Sequence, residues 1–282
     1  MNPELKLAIK LGNVDKFLRL ITDEHDMTVT DSDGETILTL VDIQNNLEML
    51  NAVLSKKPNI NAKNLDGDSA LMIAVKWGNL EMVEALLKAK ASVTRRSKLK
   101  NTPLIMAATH GEVEIAEELL RDLAPSDVCK PNPQGTTPLM IAAARGQVKM
   151  INLLLKKGAL DSIHLHNIRH GDTALLLSVK EGHYDATEVL LSAGARIEDE
   201  NSNGESALTL ATRLGDLAII ELLKAKIMAE ELKKAQALAK EDDGAAKTTR
   251  DGFFRPPSPE LTDHFTDAPI AKTATLTLMA LS

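Results

Sequence analysis

The chain has 282 residues, and its 40 acidic and 33 basic side chains give a formal net charge of −7. This charge argues against general nucleic-acid binding, which depends on cations that neutralise phosphates. Only 2% of the residues are aromatic, so a buried core must be built from aliphatic side chains. The single cysteine cannot form an internal disulfide, which is typical of a reducing compartment. With no long apolar run and no basic-then-apolar leader, we expect a cytoplasmic protein that does not bind membranes.

Residues 135–159 form a sequence unit that serves as the template for most of the chain. Thr137 is a good helix N-cap, and Pro138 suits the first helical position, where its missing N–H is not needed. The apolar residues that follow recur at helical spacing, and Gly146 offers the left-handed conformation that ends a helix. A second, leucine-rich helix should follow and end at Gly158. The unit therefore predicts two short antiparallel helices, neither of which can bury its apolar face alone.

This unit recurs with a nearly constant period. The leucine two positions after the N-cap is found at Leu5, Leu38, Leu71, Leu104, Leu139, Leu175 and Leu208, with spacings of 33, 33, 33, 35, 36 and 33 residues. The helix-ending glycine recurs in step, and Asn45 replaces it in the second repeat, because asparagine also tolerates a left-handed backbone. A period of about 33 residues with a turn and two helices resembles the ankyrin-repeat family.

The resemblance covers roughly residues 1–240 and implies an all-α fold, an ankyrin-repeat α-solenoid of about seven helix-turn-helix units. We place the repeats near residues 1–30, 31–63, 64–96, 97–130, 131–166, 167–200 and 201–240. Residues 216–240 contain no glycine or proline and are rich in strong helix formers, which predicts a long C-terminal capping helix. Residues 241–282 change to small, polar and proline-bearing composition, which favours a flexible, disordered tail.

The family histidine, the second repeat and the first repeat each bear on how the repeats pack. The histidine that usually follows the repeat leucine is replaced in the second to seventh repeats, so we expect the turns to be less tightly joined; the replacements are Thr39, Met72, Ile105, Met140, Leu176 and Thr209. The second repeat has Val41 and Asp42 where the template has small alanines, which leaves its packing open. The first repeat should act as an N-terminal cap, because charged residues make its outer side polar.

No motif indicates catalysis. The chain lacks GxSxG, Walker and Rossmann glycine loops, the kinase set and CxxC, so we expect neither enzymatic activity nor a cofactor. The Asp33-Gly34 and Asp66-Gly67 pairs are interpreted as turn residues. Three histidines, His164, His166 and His170, lie close together in a lengthened turn, but no cysteine or clear fourth ligand accompanies them. We interpret them as surface histidines and predict no metal site.

The family resemblance implies that the turn tips and the exposed ends of the first helices bind a partner protein along a concave face. We predict an unidentified protein partner at ten such positions or beside them: Lys76, Trp77, Arg95, Arg96, Lys98, Lys100, His110, Arg145, Arg169 and His170. The tips of the second and third repeats are acidic, whereas residues 95–100 are basic, so the row of tips changes sign along its length. The basic segment is either a solvated turn or the part that steers an acidic partner.

Trp77 is open to two interpretations. It precedes a helix-ending glycine, where this family is usually exposed, and tryptophan is frequent among interface hot spots. The same ring could instead cover a gap beside the irregular second repeat, because interfaces and packing use the same amphipathic side chain.

The sequence thus predicts a non-catalytic, monomeric protein–protein interaction module that acts as a scaffold, adaptor or inhibitor. Ser258, which precedes Pro259, is a candidate for proline-directed phosphorylation. The alternative is a bacterial effector secreted into a host cell, whose repeats bind a host protein and whose C-terminus is the export signal. The irregular repeats, the leaderless start and the hydrophobic last residues favour that alternative.

Overall fold

The computed structural model describes residues 1–21, 29–32 and 34–248, with side chains up to residue 237. Within this part of the chain the regular structure is helical, and strand pairing is limited to one isolated bridge between Lys63 and Ser69. By their contacts, residues 1–231 form one compact unit, which ends within the last helix. The helices are α1 (Pro3–Lys10), α2 (Val14–Leu20), α3 (Ile37–Ile43), α4 (Leu47–Ser55), α5 (Ala70–Lys76), α6 (Leu80–Lys88), α7 (Pro103–His110), α8 (Val113–Leu119), α9 (Pro125–Val128), α10 (Pro138–Ala144), α11 (Val148–Lys156), α12 (Ala174–Lys180), α13 (Tyr184–Ser192), α14 (Ala207–Leu214) and α15 (Leu217–Thr248).

Seven helix pairs follow one another along the described part of the chain, as the period predicts. The first helices of the repeats are α1, α3, α5, α7, α10, α12 and α14, and each packs against the first helix of its neighbours. The first six of them also pack against the second helix of their own repeat. In the template repeat the hydroxyl of Thr137 accepts a hydrogen bond from the Met140 N–H (3.2 Å), which confirms the predicted start of α10. Gly146 and Asn45 adopt left-handed backbones with φ of 63° and 55°, which confirms the predicted helix ends.

The core is mainly aliphatic, in agreement with the composition, and also contains the fully buried Phe17. Six of the seven repeat leucines are fully buried, and the seventh, Leu208, is half-buried. The residue four positions after the leucine faces the following repeat, since Val75, Ala108, Ala143 and Val179 are all fully buried there. Its counterpart in the last repeat, Thr212, is exposed.

Asp42 occupies this same buried position in the second repeat. Its side chain is only 3% exposed, and among the described residues neither carboxyl oxygen has a well-formed hydrogen bond. Burial raises the pKa of Asp42 to about 8, and the nearby backbone of Ala74 offsets only part of that rise. The contact between the second and third repeats therefore contains a carboxyl group that is largely protonated at neutral pH.

The turns between repeats are joined by bonds that the sequence analysis did not anticipate. An Asp, Asn or Ser at the start of each turn, at positions 31, 64, 97, 132, 167 and 201, accepts one or two backbone N–H groups of the same turn. Backbone bonds then link neighbouring turns, from the Lys98 N–H to the Asp66 carbonyl (3.1 Å) and from the Ile168 N–H to the Gln134 carbonyl (2.9 Å). Neighbouring turns are therefore linked by hydrogen bonds in a chain that lacks the family histidine, and the expectation of less tightly joined turns stays a prediction.

The lengthened connections after α8 and α11 contain short helices of their own. Helix α9 and a 3-10 turn at Ala159–Ser162 take up the additional residues of the fourth and fifth repeats. The Cys129 thiol donates to the Gly158 carbonyl (3.3 Å) and links these two connections. At the other end of the chain, Leu7, Leu11 and Leu18 of the first repeat are exposed, so its outer side is less polar than a cap was expected to be.

The last repeat ends in the long helix that the composition predicts. Helix α15 runs from Leu217 to Thr248, so the boundary proposed at residue 240 falls within the helix and not at its end. Residues 249–282, including Ser258 and most of the expected tail, lie outside the described part of the chain. None of the described helices combines the length and the apolar character needed to cross a membrane.

Candidate protein-binding groove

A groove of about 430 Å³ lies where the third and fourth repeats meet. It is formed by the turns at residues 64–68 and 97–101 together with residues of α5 and α7. Its lining mixes carboxylates, amines and apolar side chains, and consists of Asp66, Asp68, Lys76, Ser97, Lys98, Leu99, Asn101, Met106, Thr109 and His110. We refer to this set of residues as the groove.

Close contact between the two turns fixes the shape of the groove. Gly67 has φ of +75°, and a Cβ atom added there would lie 2.7 Å from the Lys98 nitrogen. This proximity lets the Lys98 N–H bond to the Asp66 carbonyl. Asn64 stiffens the first turn, because its side-chain oxygen accepts the N–H groups of Asp66 (3.1 Å) and Asp68 (2.9 Å). The charged side chains of the groove are therefore carried by a well-bonded backbone.

The charges in the groove do not neutralise one another in pairs. Among the described residues, no ion pair within 4 Å involves Asp66, Asp68, Lys76 or Lys98. Burial raises the pKa of Asp68, and the neighbouring carboxylates of Asp66 and Glu35 raise it further, while Lys76 and Lys63 lower it. The environment of Asp68 therefore disfavours its negative charge, which an added cation would stabilise.

The equivalent charges in the sixth and seventh repeats do form pairs. Each turn ends in a carboxylate, and a cation follows eight residues later near the end of the first helix, as in Asp68 and Lys76. Lys180 contacts Asp172 at 3.6 Å, and Arg213 contacts Glu205 at 2.6 Å. The bond from Arg213, with help from Asn201, lowers the pKa of Glu205. The third repeat thus has a carboxylate and a cation at the same spacing, Asp68 and Lys76, but these two side chains do not form an ion pair. We call this an open pair, and the pairs of the sixth and seventh repeats closed pairs.

Three of the ten predicted partner-binding residues come together in the groove. Lys76, Lys98 and His110 are all exposed there. Trp77 follows Lys76 at the end of α5 and is 68% exposed, an exposure that does not fit a side chain covering a gap. It lies outside the groove lining and adds an apolar surface at the end of the same helix.

The other predicted residues lie elsewhere. Arg96 is half-buried, and its guanidinium donates to the carbonyls of Lys100 (3.3 Å) and Pro131 (3.0 Å), so it joins the fourth repeat to the next turn. The remaining five residues are exposed and outside the groove: Arg95, Lys100, Arg145, Arg169 and His170. In the basic segment at residues 95–100, Arg96 therefore has a structural role, whereas Arg95, Lys98 and Lys100 are exposed.

The groove also contains residues that the predicted set omitted. Asp66, Asp68, Leu99 and Thr109 lie at the turn tips and first-helix ends where the family resemblance places the binding face, but neither they nor Met106 were among the ten selected residues. The recurrence of a carboxylate eight residues before a cation, at Asp68, Asp172 and Glu205, is the signal that would have drawn attention to them.

Two of the three histidines in the lengthened turn after the fifth repeat make ordinary contacts with nearby protein groups. His164 Nδ1 lies 3.5 Å from an Asp199 carboxylate oxygen, and His166 Nδ1 lies 2.7 Å from the Gly171 carbonyl oxygen. In the described part of the chain, no three His, Cys, Asp or Glu side chains converge as metal ligands would.

Stacked helix pairs with charged turns define a helical repeat protein, and comparison with known proteins names the family. The family described as "Ankyrin repeats (3 copies)" matches residues 5–97, 92–167 and 160–234. The chain therefore belongs to the ankyrin-repeat family. It is similar in fold to the crystal structure of the ankyrin repeat domain of Bcl-3, "a unique member of the IkappaB protein family", with a TM-score of 0.70 and 21% identity over 79% of this chain and 98% of that one. No curated protein matches the chain in sequence.

Proposed function

We propose that this chain is a non-catalytic protein-binding module whose partner docks on the groove and on the adjoining surface of Trp77. Ankyrin repeats are in general protein–protein interaction modules. The observation that carries the proposal for this chain is the open charge pair of the third repeat, beside its closed counterparts in the sixth and seventh. Charges left without a partner on a rigid surface are available to a ligand at little cost in stability, because exposed ion pairs contribute little.

Exposed apolar side chains at the same turns support this location. Leu65 and Leu99 lie on the turns of the third and fourth repeats and are 68% and 73% exposed, and Trp77 adds a comparable surface. Large apolar side chains that are exposed to solvent on well-bonded turns are typical of interface anchors. Tryptophan is enriched among interface hot spots. The polar groove beside them would provide orientation and specificity.

The proposal extends to the oligomeric state and the location of the protein. We propose a monomer that acts in the cytoplasm as a scaffold, adaptor or inhibitor. The similarity to the Bcl-3 domain, at 21% identity, supports the architecture and names no partner for this chain. Export into a host cell remains the alternative, and it depends on residues 241–282, of which only 241–248 are described.

The proposal is tested by capturing partners from a lysate with the intact chain and with matched variants. Trp77→Ala and Lys98→Ala each remove a side chain at the proposed surface. Arg213→Ala removes a cation from the closed pair of the seventh repeat and serves as the control. We expect the same partner to be captured by the wild type and by Arg213→Ala, and to be lost or strongly reduced with both other variants. A partner that all four proteins retain equally would show that the proposed surface is wrong.

A further inference from the structure

The groove presents charges of opposite sign on two neighbouring turns. Asp66 and Asp68 belong to the turn of the third repeat, whereas Lys98 belongs to the turn of the fourth, and His110 ends the helix that follows it. The bond from the Lys98 N–H to the Asp66 carbonyl holds these turns together. A ligand that crosses from one turn to the other therefore meets carboxylates first and cations next.

Two apolar side chains line the same groove. Leu99 is 73% exposed and Met106 is half-buried, so both can lose contact with water when a ligand binds. Met106 is also unbranched and adapts readily to the shape of a neighbouring side chain. The groove therefore offers an apolar contact together with its two charged sides.

The carboxylate side is suited to a cation. Asp68 lies close enough to Asp66 and Glu35 for their charges to disfavour its ionised form, so a positive group placed there would be attracted by three carboxylates. Lys76 and Lys63, whose ammonium donates to the Arg96 carbonyl (2.6 Å), act in the opposite direction, but among the described residues neither lysine forms an ion pair with Asp68 within 4 Å. A lysine or arginine of a ligand would supply the close ion pair that these two lysines do not form.

This inference rests on the proposed function and specifies the chemistry of the partner. We propose that the groove binds a peptide segment of mixed charge, in which a Lys or Arg, an apolar residue and an Asp or Glu lie within a few residues of one another. The basic residue would lie against Asp66 and Asp68, and the apolar residue against Leu99 and Met106. The acidic residue would lie against Lys98 and His110.

Segments of one sign fit less well. A uniformly acidic segment would place negative charge beside Asp66 and Asp68, and a uniformly basic one would place positive charge beside Lys76 and Lys98. Like charges brought together in an interface are unfavourable and select against wrong partners. The sequence alone suggested an acidic partner. The groove instead favours a partner that carries positive and negative charges in one short segment.

A random linear peptide library displayed on phage, selected on the intact chain, tests the proposal. Parallel selections use Asp66→Asn/Asp68→Asn, Lys98→Gln and, as a matched control, Glu205→Gln in the seventh repeat. We expect peptides of mixed charge with the wild type and with the control, loss of the basic preference with the double variant, and loss of the acidic preference with Lys98→Gln. Titration calorimetry with the best wild-type peptide should give an affinity about ten- to a hundredfold lower for the double variant.

The outcomes separate this inference from the proposed function. If the selected peptides carry a single sign of charge, or bind both groove variants as tightly as the wild type, the mixed-charge assignment is wrong. If, in addition, neither Trp77→Ala nor Lys98→Ala affects the captured partner, the proposed function is wrong as well. Circular dichroism and a melting curve confirm that each variant is folded. Asp66→Asn alone replaces the double variant if that variant does not fold, and is expected to weaken the basic preference in the same direction.

Discussion

The third repeat and the seventh carry the same charge pattern and use it differently. In both, a carboxylate ends the turn and a cation lies eight residues later, as Asp68 and Lys76 or as Glu205 and Arg213. The pair is closed in the seventh repeat, where Arg213 lies 2.6 Å from Glu205, whereas among the described residues neither Asp68 nor Lys76 forms an ion pair within 4 Å. Exposed pairs of this kind contribute little to stability, so leaving the pair of the third repeat open costs the fold little. The difference indicates that charge in the sixth and seventh repeats serves the stack itself, whereas charge in the third and fourth is available to a partner.

The second repeat shows a similar difference in the core, where a carboxyl group occupies a position that is apolar in other repeats. Its Asp42 stands without a well-formed hydrogen bond where the sixth repeat has the fully buried Val179. Carboxyl groups without a close partner therefore occur both on the surface, at Asp68, and at a buried contact, at Asp42, in the second and third repeats.

Replacing Asp42 with valine should have the largest effect. Because the folded pKa is raised from 3.8 to about 8, the unfolded chain loses this proton before the folded chain does, and stability falls as pH rises between the two values. The loss should be on the order of 1.4 kcal/mol per pH unit across this window. Asp42→Val should therefore be more stable than the wild type, and its advantage should grow from pH 5 to pH 8 in urea unfolding curves.

The matched control is Asp15→Val, which changes an exposed aspartate of α2. It should leave the pH dependence of stability close to that of the wild type. If Asp42→Val and the wild type lose stability in parallel as the pH rises, Asp42 is not the group responsible, and the buried carboxyl has been misassigned.

The turn glycines give the next largest effect. Gly67 and Gly204 occupy equivalent turn positions with φ of +75° and +73°, so alanine is strained at both by about 1–2 kcal/mol. Only at Gly67 would the new methyl group meet backbone, 2.7 Å from the Lys98 nitrogen, since Gly204 has its nearest atom 3.9 Å away. Gly67→Ala should thus lower the melting temperature clearly more than Gly204→Ala. Equal losses would show that the two turns do not press against each other as described.

The sequence predicts those parts of the fold that depend on local backbone geometry and on burial. Leucines at a period of 33, threonine N-caps and left-handed glycines act through local backbone geometry and burial, so helix positions and ends such as Thr137 and Gly146 could be predicted. The side-chain bonds between turns were not predicted, because the amides of Asn64 and Asn132 meet Glu35 (2.8 Å) and Asn101 (3.1 Å) of the preceding turns only in the folded stack.

The groove was predicted only in part for a different physical reason. Lys76, Lys98 and His110 were found because their positions in the repeat are fixed. Whether a cation such as Lys76 or Arg213 reaches its carboxylate depends on side-chain conformations that spacing does not specify. The use of Arg96 to bond two carbonyls of the neighbouring turns is likewise a property of packing, not of the sequence pattern.

The smallest predicted effects are opposite in sign. The pKa of Asp68 is raised in the fold, so its ionisation costs stability above its unfolded pKa, and Asp68→Asn should raise the melting temperature slightly at pH 7. The pKa of Glu205 is lowered, so its ionised form stabilises the fold, and Glu205→Gln should lower the melting temperature slightly at pH 7. Both differences should shrink in differential scanning calorimetry as the pH falls and the two carboxyl groups become protonated in the folded and unfolded chains. Shifts of the same sign at pH 7 would contradict the contrast between open and closed pairs.

Hydrogen–deuterium exchange on the intact chain, with and without its captured partner, shows whether the partner binds at the groove between the third and fourth repeats. The backbone amides at residues 64–68 and 97–101 and at the ends of α5 and α7 should exchange more slowly in the complex. The turns at 167–172 and 201–205, where the charges are already paired, should be unchanged. Protection confined to those later turns, or to the second helices of the repeats, would contradict a partner site at the groove.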